Sequence, residues 1–126
     1  TGATGGLGLE TAKSFASVGA SVTIAGRSPD KVDAALALLN EEMPSALFDA
    51  KIVDLASLSS IQSATIEIVA EGRPIDLLVN NAGVMMSPEG KTEDGFELAA
   101  LTRGDDPTLE KVLNDLTDDI KKAKIE

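Results

Sequence analysis

Cysteine, histidine, tyrosine and tryptophan are absent from the 126 residues, and the only aromatic side chains are Phe15, Phe48 and Phe96. Without Cys and His this chain cannot build a disulfide framework, a Cys/His zinc site, a thiol nucleophile, a histidine-centred triad or an imidazole pH switch. Positive charge is also scarce. Eleven Lys and Arg against 21 Asp and Glu give a formal net charge of −10 and a pI near 4.3. That balance disfavours a general nucleic-acid backbone binder, so any anion site must be local. Hydrophobic residues make up 43%, but long apolar runs are missing, and stretches such as Ala34 to Leu39 fall far short of the roughly 20 residues of a spanning helix. No positively charged leader precedes an apolar run. The expectation is a cytoplasmic, soluble globular chain with no membrane segment and no nucleic-acid partner, long enough for one core and too short for two.

What is present is a regular alternation. Glycines open the chain, and Leu9, Ala12, Phe15, Ala16 and Gly19 follow at spacings of three and four, which predicts a loop running into an amphipathic helix ended by Gly19. Ser21 to Ala25 is a β-branched run closed by Gly26 and reads as a buried strand. Ser28, Pro29 and Asp30 start a second helix through about Glu41, with Val32, Leu36 and Leu39 on its apolar face. Leu47 to Val53 predicts another strand, and Ser57 caps a third helix in which Leu58, Ile61, Ile68 and Val69 share a face until Gly72 and Pro74. Ile75 to Val79 reads as a third strand, followed by Asn80-Asn81-Ala82-Gly83. Alternation of this kind predicts a parallel sheet with helices on both faces. From Met85 to Asp106 the pattern thins to loop with at most a short helix near Gly95 to Leu101. Beyond it Leu109, Val112, Leu113, Leu116 and Ile120 mark an amphipathic tail helix.

Two features carry chemistry. Gly2, Gly5, Gly6 and Gly8 stand directly before a helix, where glycine lets the backbone turn tightly and a pyrophosphate approach the helix's free N–H groups. A glycine-rich turn that only permits close packing is the other reading, and a Walker-type loop is disfavoured because no Lys-Ser or Lys-Thr follows. At the end of the second predicted segment, where a dinucleotide site places its ribose-reading residue, stand Gly26 and Arg27. An acidic residue there would select the 2′-hydroxyl of NAD, whereas the guanidinium of Arg27, with a hydrogen bond from Ser28, suits the 2′-phosphate of NADP. A solvated loop arginine is the alternative.

These residues carry a resemblance. Thr1-Gly2-x-x-x-Gly6-x-Gly8, Asp54-Leu55 and Asn80-Asn81-Ala82-Gly83 stand in the order and at the intervals of the short-chain dehydrogenase/reductase family, which the chain resembles from Thr1 to about Leu98. Gly5 also fits the Gly-x-x-Gly-x-x-Gly spacing of the extended, epimerase-like members, while Asn-Asn-Ala-Gly matches the single-domain reductases. Val84-Met85-Met86 and Thr92 to Glu97 are similar to the retinol dehydrogenase-like branch. The resemblance implies that Gly2, Gly6, Leu7 and Gly8 line the pyrophosphate of NADP, with NAD the less favoured cofactor, and that Arg27 and Ser28 hold its 2′-phosphate. It implies further that Asp54 and Leu55 border the adenine, and that Asn80, Asn81, Ala82 and Gly83 pass along the ribose and brace the sheet. Other uses stay open: Asp54 as a helix cap, Asn80 and Asn81 as turn residues bonded to their own backbone, Met85-Met86 as packing.

The same resemblance exposes what is missing. The family's hydride transfer uses a Tyr, a Lys four residues later, a Ser and usually an Asn, and this sequence contains no Tyr. The family also places a hydrophobic strand before Thr-Gly, and after Leu98 about ten of its residues are skipped before an unmatched acidic tail. The expected fold is therefore α/β, a Rossmann-like doubly wound parallel sheet, incomplete, with the first strand and the catalytic half absent. Residues 1–98 form the dinucleotide-binding region and 99–126 an acidic linker with an amphipathic helix. The function expected is the NADP-binding portion of a reductase, inactive alone. The rivals are a non-catalytic nucleotide sensor and a helical interaction module.

Overall fold

The computed structural model describes residues 1–83 and 90–95. Its elements follow the order α1 (Gly6–Ser17), β1 (Val22–Gly26), α2 (Pro29–Glu42), β2 (Phe48–Ile52) and α3 (Leu58–Ala70). They fall into two compact units, one formed by Thr1–Asp54 with Val79–Ala82, the other by Leu55–Leu78 with Gly83–Glu126.

In the first unit, β1 and β2 pair in parallel with Val22 opposite Phe48, Ile24 opposite Ala50 and Gly26 opposite Ile52. Parallel neighbours need a crossover, and α2 supplies it. Pro29 stands at the start of α2 and Asp30 in its first turn, both suited to a helix N-terminus. The apolar spacing then turns Val32, Ala35 and Leu39 inward, with Leu36 packed beside them. Among the described residues Leu39, Ile24 and Val32 are the largest fully buried side chains, each stabilising the fold by about 1.5–3 kcal/mol through burial. Ala3, Ala12 and Ala35 complete this core, and Leu9, Val22, Phe48 and Ala50 pack against it.

α1 brings its small residues to the interior. Gly8, Ala12 and Ala16 are four apart and all buried, so the helix axis can lie close to its neighbours. It ends as the sequence predicts. Gly19 takes φ +89, its N–H donates to Ala16 O, and the N–H of Ala20 donates to Phe15 O, the paired bonds of a glycine-terminated helix.

In the second unit, Ser57 caps α3 by accepting from the N–H of Ser60 at 3.3 Å. A second cap, this one a carboxylate, comes from far along the chain: Asp94 Oδ2 accepts from the N–H of Leu58 at 2.8 Å. Gly72, at φ +65, follows the helix end.

Several expectations need correction. Ile75 to Val79 forms no strand. Leu77 and Leu78 are 60% and 50% exposed, and in the first unit Val79 O accepts from Thr1 N instead of joining a ladder. An apolar run becomes a strand only when a neighbour takes its backbone bonds, and the described sheet has two strands, β1 and β2. β1 is half-buried, not buried, because Thr23 alternates out to solvent. On α3 the inward set is Leu58, Ile61, Ala64 and Ile68, while Val69 is exposed. The Val84-Met85-Met86 motif, the short helix near Leu101 and the tail helix lie outside the described residues.

Candidate functional site

The glycine loop is held from two sides. The N–H of Gly2 donates to Ala25 O at 2.9 Å, tying the loop to the end of β1. On the other side Thr1 Oγ1 accepts from the N–H groups of Asn81 and Ala82 at 3.2 and 3.1 Å. Thr1 N donates to Val79 O at 2.9 Å, and burial holds its amino group below the ordinary range. Asn81 Nδ2 returns a bond to Thr1 O at 3.1 Å. The side chain of Asn81 is therefore a clamp on the loop, not a turn residue closed on its own backbone. The turn is made by the main chain, where the N–H of Asn81 reaches Val79 O, and Asn80 at its tip is exposed.

Glycine is required where these strands of loop touch. Gly2 has φ +66, and a Cβ there would lie 2.9 Å from Ala82 Cα. A Cβ on Gly8 would overlap Gly2 O and stand 2.6 Å from Asn81 Nδ2. The mouth of the loop is different. A Cβ on Gly5 or Gly6 would meet nothing within 4 Å, and Leu7 is 82% exposed.

At that mouth α1 begins with Gly5 as its N-cap and no side-chain capping bond. The first intrahelical bond runs from the N–H of Leu9 to Gly5 O at 3.3 Å, so the N–H groups of Gly6, Leu7 and Gly8 precede the helical ladder at its positive end. An uncapped turn, open above and fixed below, fits an anion such as a pyrophosphate. The residues present thus fit the dinucleotide that the loop pattern implies.

Beside the loop, β1 ends at Gly26, whose carbonyl accepts from the N–H of Val53 at 2.9 Å. Arg27 follows, exposed to solvent. Ser28 occupies the N-cap position of α2, as expected, yet its hydroxyl makes no capping bond. It is half-buried. Asp54 is half-buried at the end of the first unit. The N-cap of α3 is Ser57 rather than Asp54. Leu55 and Gly83 belong to the second unit. Among the described residues no group of three or more acidic side chains is placed to hold a metal ion, and no helix is long and apolar enough to cross a membrane.

The comparisons agree with this geometry. Residues 1–114 match the short chain dehydrogenase family, and the chain belongs to that family. It is 42% identical over 98 residues to polyprenol dehydrogenase of Danio rerio, covering 78% of this chain and 30% of that protein. It is 41% identical to human retinol dehydrogenase 13, again over 78% of this chain and 30% of the relative. The chain thus spans about a third of the length of these relatives. Among solved structures, a short-chain dehydrogenase from Sphingobium yanoikuyae in complex with NADPH has a TM-score of 0.68 at 26% identity, covering 91% of this chain and 44% of that one. An actinorhodin polyketide ketoreductase variant with NADPH has a TM-score of 0.64 at 26% identity over 97% and 44%. The α/β arrangement here is part of a Rossmann-like fold of the kind those enzymes have.

Proposed function

We propose that this chain is the NADP(H)-binding portion of a short-chain dehydrogenase/reductase that moves hydride between an alcohol or carbonyl compound and a nicotinamide. The observation that carries the reading is the uncapped start of α1 above a loop whose glycines are fixed by contact with Ala82, Asn81 and Gly2 itself. Gly2, Gly6, Leu7 and Gly8 would hold the pyrophosphate through backbone N–H groups, where negative charge is favoured. Arg27, exposed beside β1, would hold the 2′-phosphate through its planar guanidinium, with the uncommitted capping position of Ser28 next to it. Asn81 supports the loop from beneath. Asp54, Leu55, Asn80, Ala82 and Gly83 enter the reading on the family pattern. The nicotinamide would supply the hydride acceptor. The proton donor is not in this sequence, because it has no Tyr and a Ser or Thr hydroxyl has too high a pKa to replace one near neutrality. The chain alone should therefore bind the dinucleotide without turning it over.

Equilibrium titration with NADPH and NADH tests this. NADPH should bind more tightly, and Arg27→Asp should weaken it by about tenfold or more while improving NADH, because a charge-assisted contact is replaced by repulsion. An unchanged ratio in Arg27→Asp would remove Arg27 from the site; no binding of either dinucleotide would overturn the reading.

A further inference from the structure

Gly26 is held on all sides although its backbone asks for no unusual conformation. Its own carbonyl accepts from Val53 just past the end of β2, and the carbonyl of Ala25 just before it accepts from Gly2 in the glycine loop, each at 2.9 Å. A Cβ added here would stand 2.9 Å from Thr4 Cγ2 and 2.9 Å from Val32 Cγ2. Thr4 belongs to the glycine loop and Val32 to the first turns of α2, so the missing side chain of Gly26 is the space that lets loop and helix close on the strand. Arg27 and Ser28 lead from this point into α2.

We infer that Gly26 is a positioning residue that sets the choice between the 2′-phosphate and 2′-hydroxyl forms of the dinucleotide, by fixing the spacing between the glycine loop and the start of α2. The inference rests on the NADP(H) reading above. A dinucleotide spans two points, its pyrophosphate at α1 and its ribose at Arg27, and only the second distinguishes the two forms. A methyl group at position 26 must displace one neighbour. Val32 is 1% exposed and is a β-branched residue in a helix with one strongly favoured rotamer. Thr4 is only half-buried, so the displacement falls on Thr4 and its loop. The distance from loop to Arg27 then changes, and the 2′-phosphate loses its geometry while a 2′-hydroxyl has less to lose.

The space is about one methyl group, and it can be filled from either side. Gly26→Ala overfills it, Thr4→Ser underfills it, and Gly26→Ala with Thr4→Ser fills it once, as in the natural sequence. Dissociation constants for NADPH and NADH are measured on all four chains of 126 residues. Gly26→Ala should reduce NADPH affinity about tenfold more than NADH affinity. Thr4→Ser should lower the preference about threefold, and the double variant should come closer to the natural ratio than either single change. Equal weakening of both dinucleotides by Gly26→Ala, or no restoration in the double variant, overturns the inference. Should Gly26→Ala fail to fold, an unchanged ratio in Thr4→Ser overturns it alone. If the natural chain binds neither dinucleotide, the NADP(H) reading has failed and this one with it; if the natural chain discriminates and the variants do not alter the ratio, only the role of Gly26 is lost.

Discussion

Gly2 and Gly6 both sit at positive φ, +66 and +53, but only Gly2 is pressed against another segment. Alanine at Gly6 should cost about 1–2 kcal/mol, the left-handed backbone penalty alone. Alanine at Gly2 adds overlap with Ala82 Cα at 2.9 Å and should exceed the Gly6 loss by at least about 1 kcal/mol, as overpacking does. Urea unfolding of both variants gives the comparison, and equal losses would mean that the contact with Ala82 carries no energy. The sequence shows four glycines before a helix without ranking them, because the reason for Gly2 lies with residue 82 and not with its neighbours. Asn81 is similar. The family pattern implies that it passes along the ribose and braces the sheet, with a turn as the other use, and only the fold shows its amide reaching Thr1 O.

Among the elements, local punctuation was the readable part. Pro29 marks the start of α2, Gly19 the end of α1 and Ser57 the cap of α3 because each acts within one turn of itself. The apolar run at Ile75 to Val79 has the look of a strand and forms none because a strand is a property of pairs, and no local signal reveals Asp94 because it caps a helix 36 residues upstream. Ser57→Ala and Asp94→Ala should each destabilise α3 by about 1 kcal/mol, seen as faster amide exchange in its first turn; no change on removing Asp94 would mean that the distant cap is idle. In the first unit Lys13 Nζ lies 2.6 Å from Glu42 on α2 and 3.2 Å from Glu10 on its own helix. The hydrogen bond to Glu42, then that to Glu10, holds its pKa above the ordinary lysine range. A raised folded-state pKa on a cation stabilises below the unfolded value and is lost as pH rises through the folded one. The thermal midpoint of the natural chain should thus fall more steeply than that of Lys13→Met above about pH 10. Parallel alkaline limbs would show that the pair contributes nothing.

On the scale of the whole molecule, charge dominates. The net −10 opposes association of copies at neutral pH, against the pull of Leu7, Val18 and Leu47, each at least 70% exposed. As pH falls toward the pI near 4.3 that repulsion disappears, and the chain should self-associate. Light scattering across this range checks it, and a Leu47→Lys variant should associate less at its own pI. Fold class was legible at this scale because alternation of helix and strand is a long pattern that survives one misread segment. The substrate was not legible in these residues.

The bonds from Thr1 to Val79, Asn81 and Ala82 join positions 78 to 81 residues apart. Closing so long a loop carries an entropic cost that local helices do not face, and contacts of high sequence separation form slowly. The cradle at the head of the chain therefore depends on residues synthesised much later. On the ribosome, a nascent chain that has not yet exposed residue 82 can hold α1, β1, α2 and β2 but cannot complete the glycine loop, which reaches its working shape only after the elements that follow it.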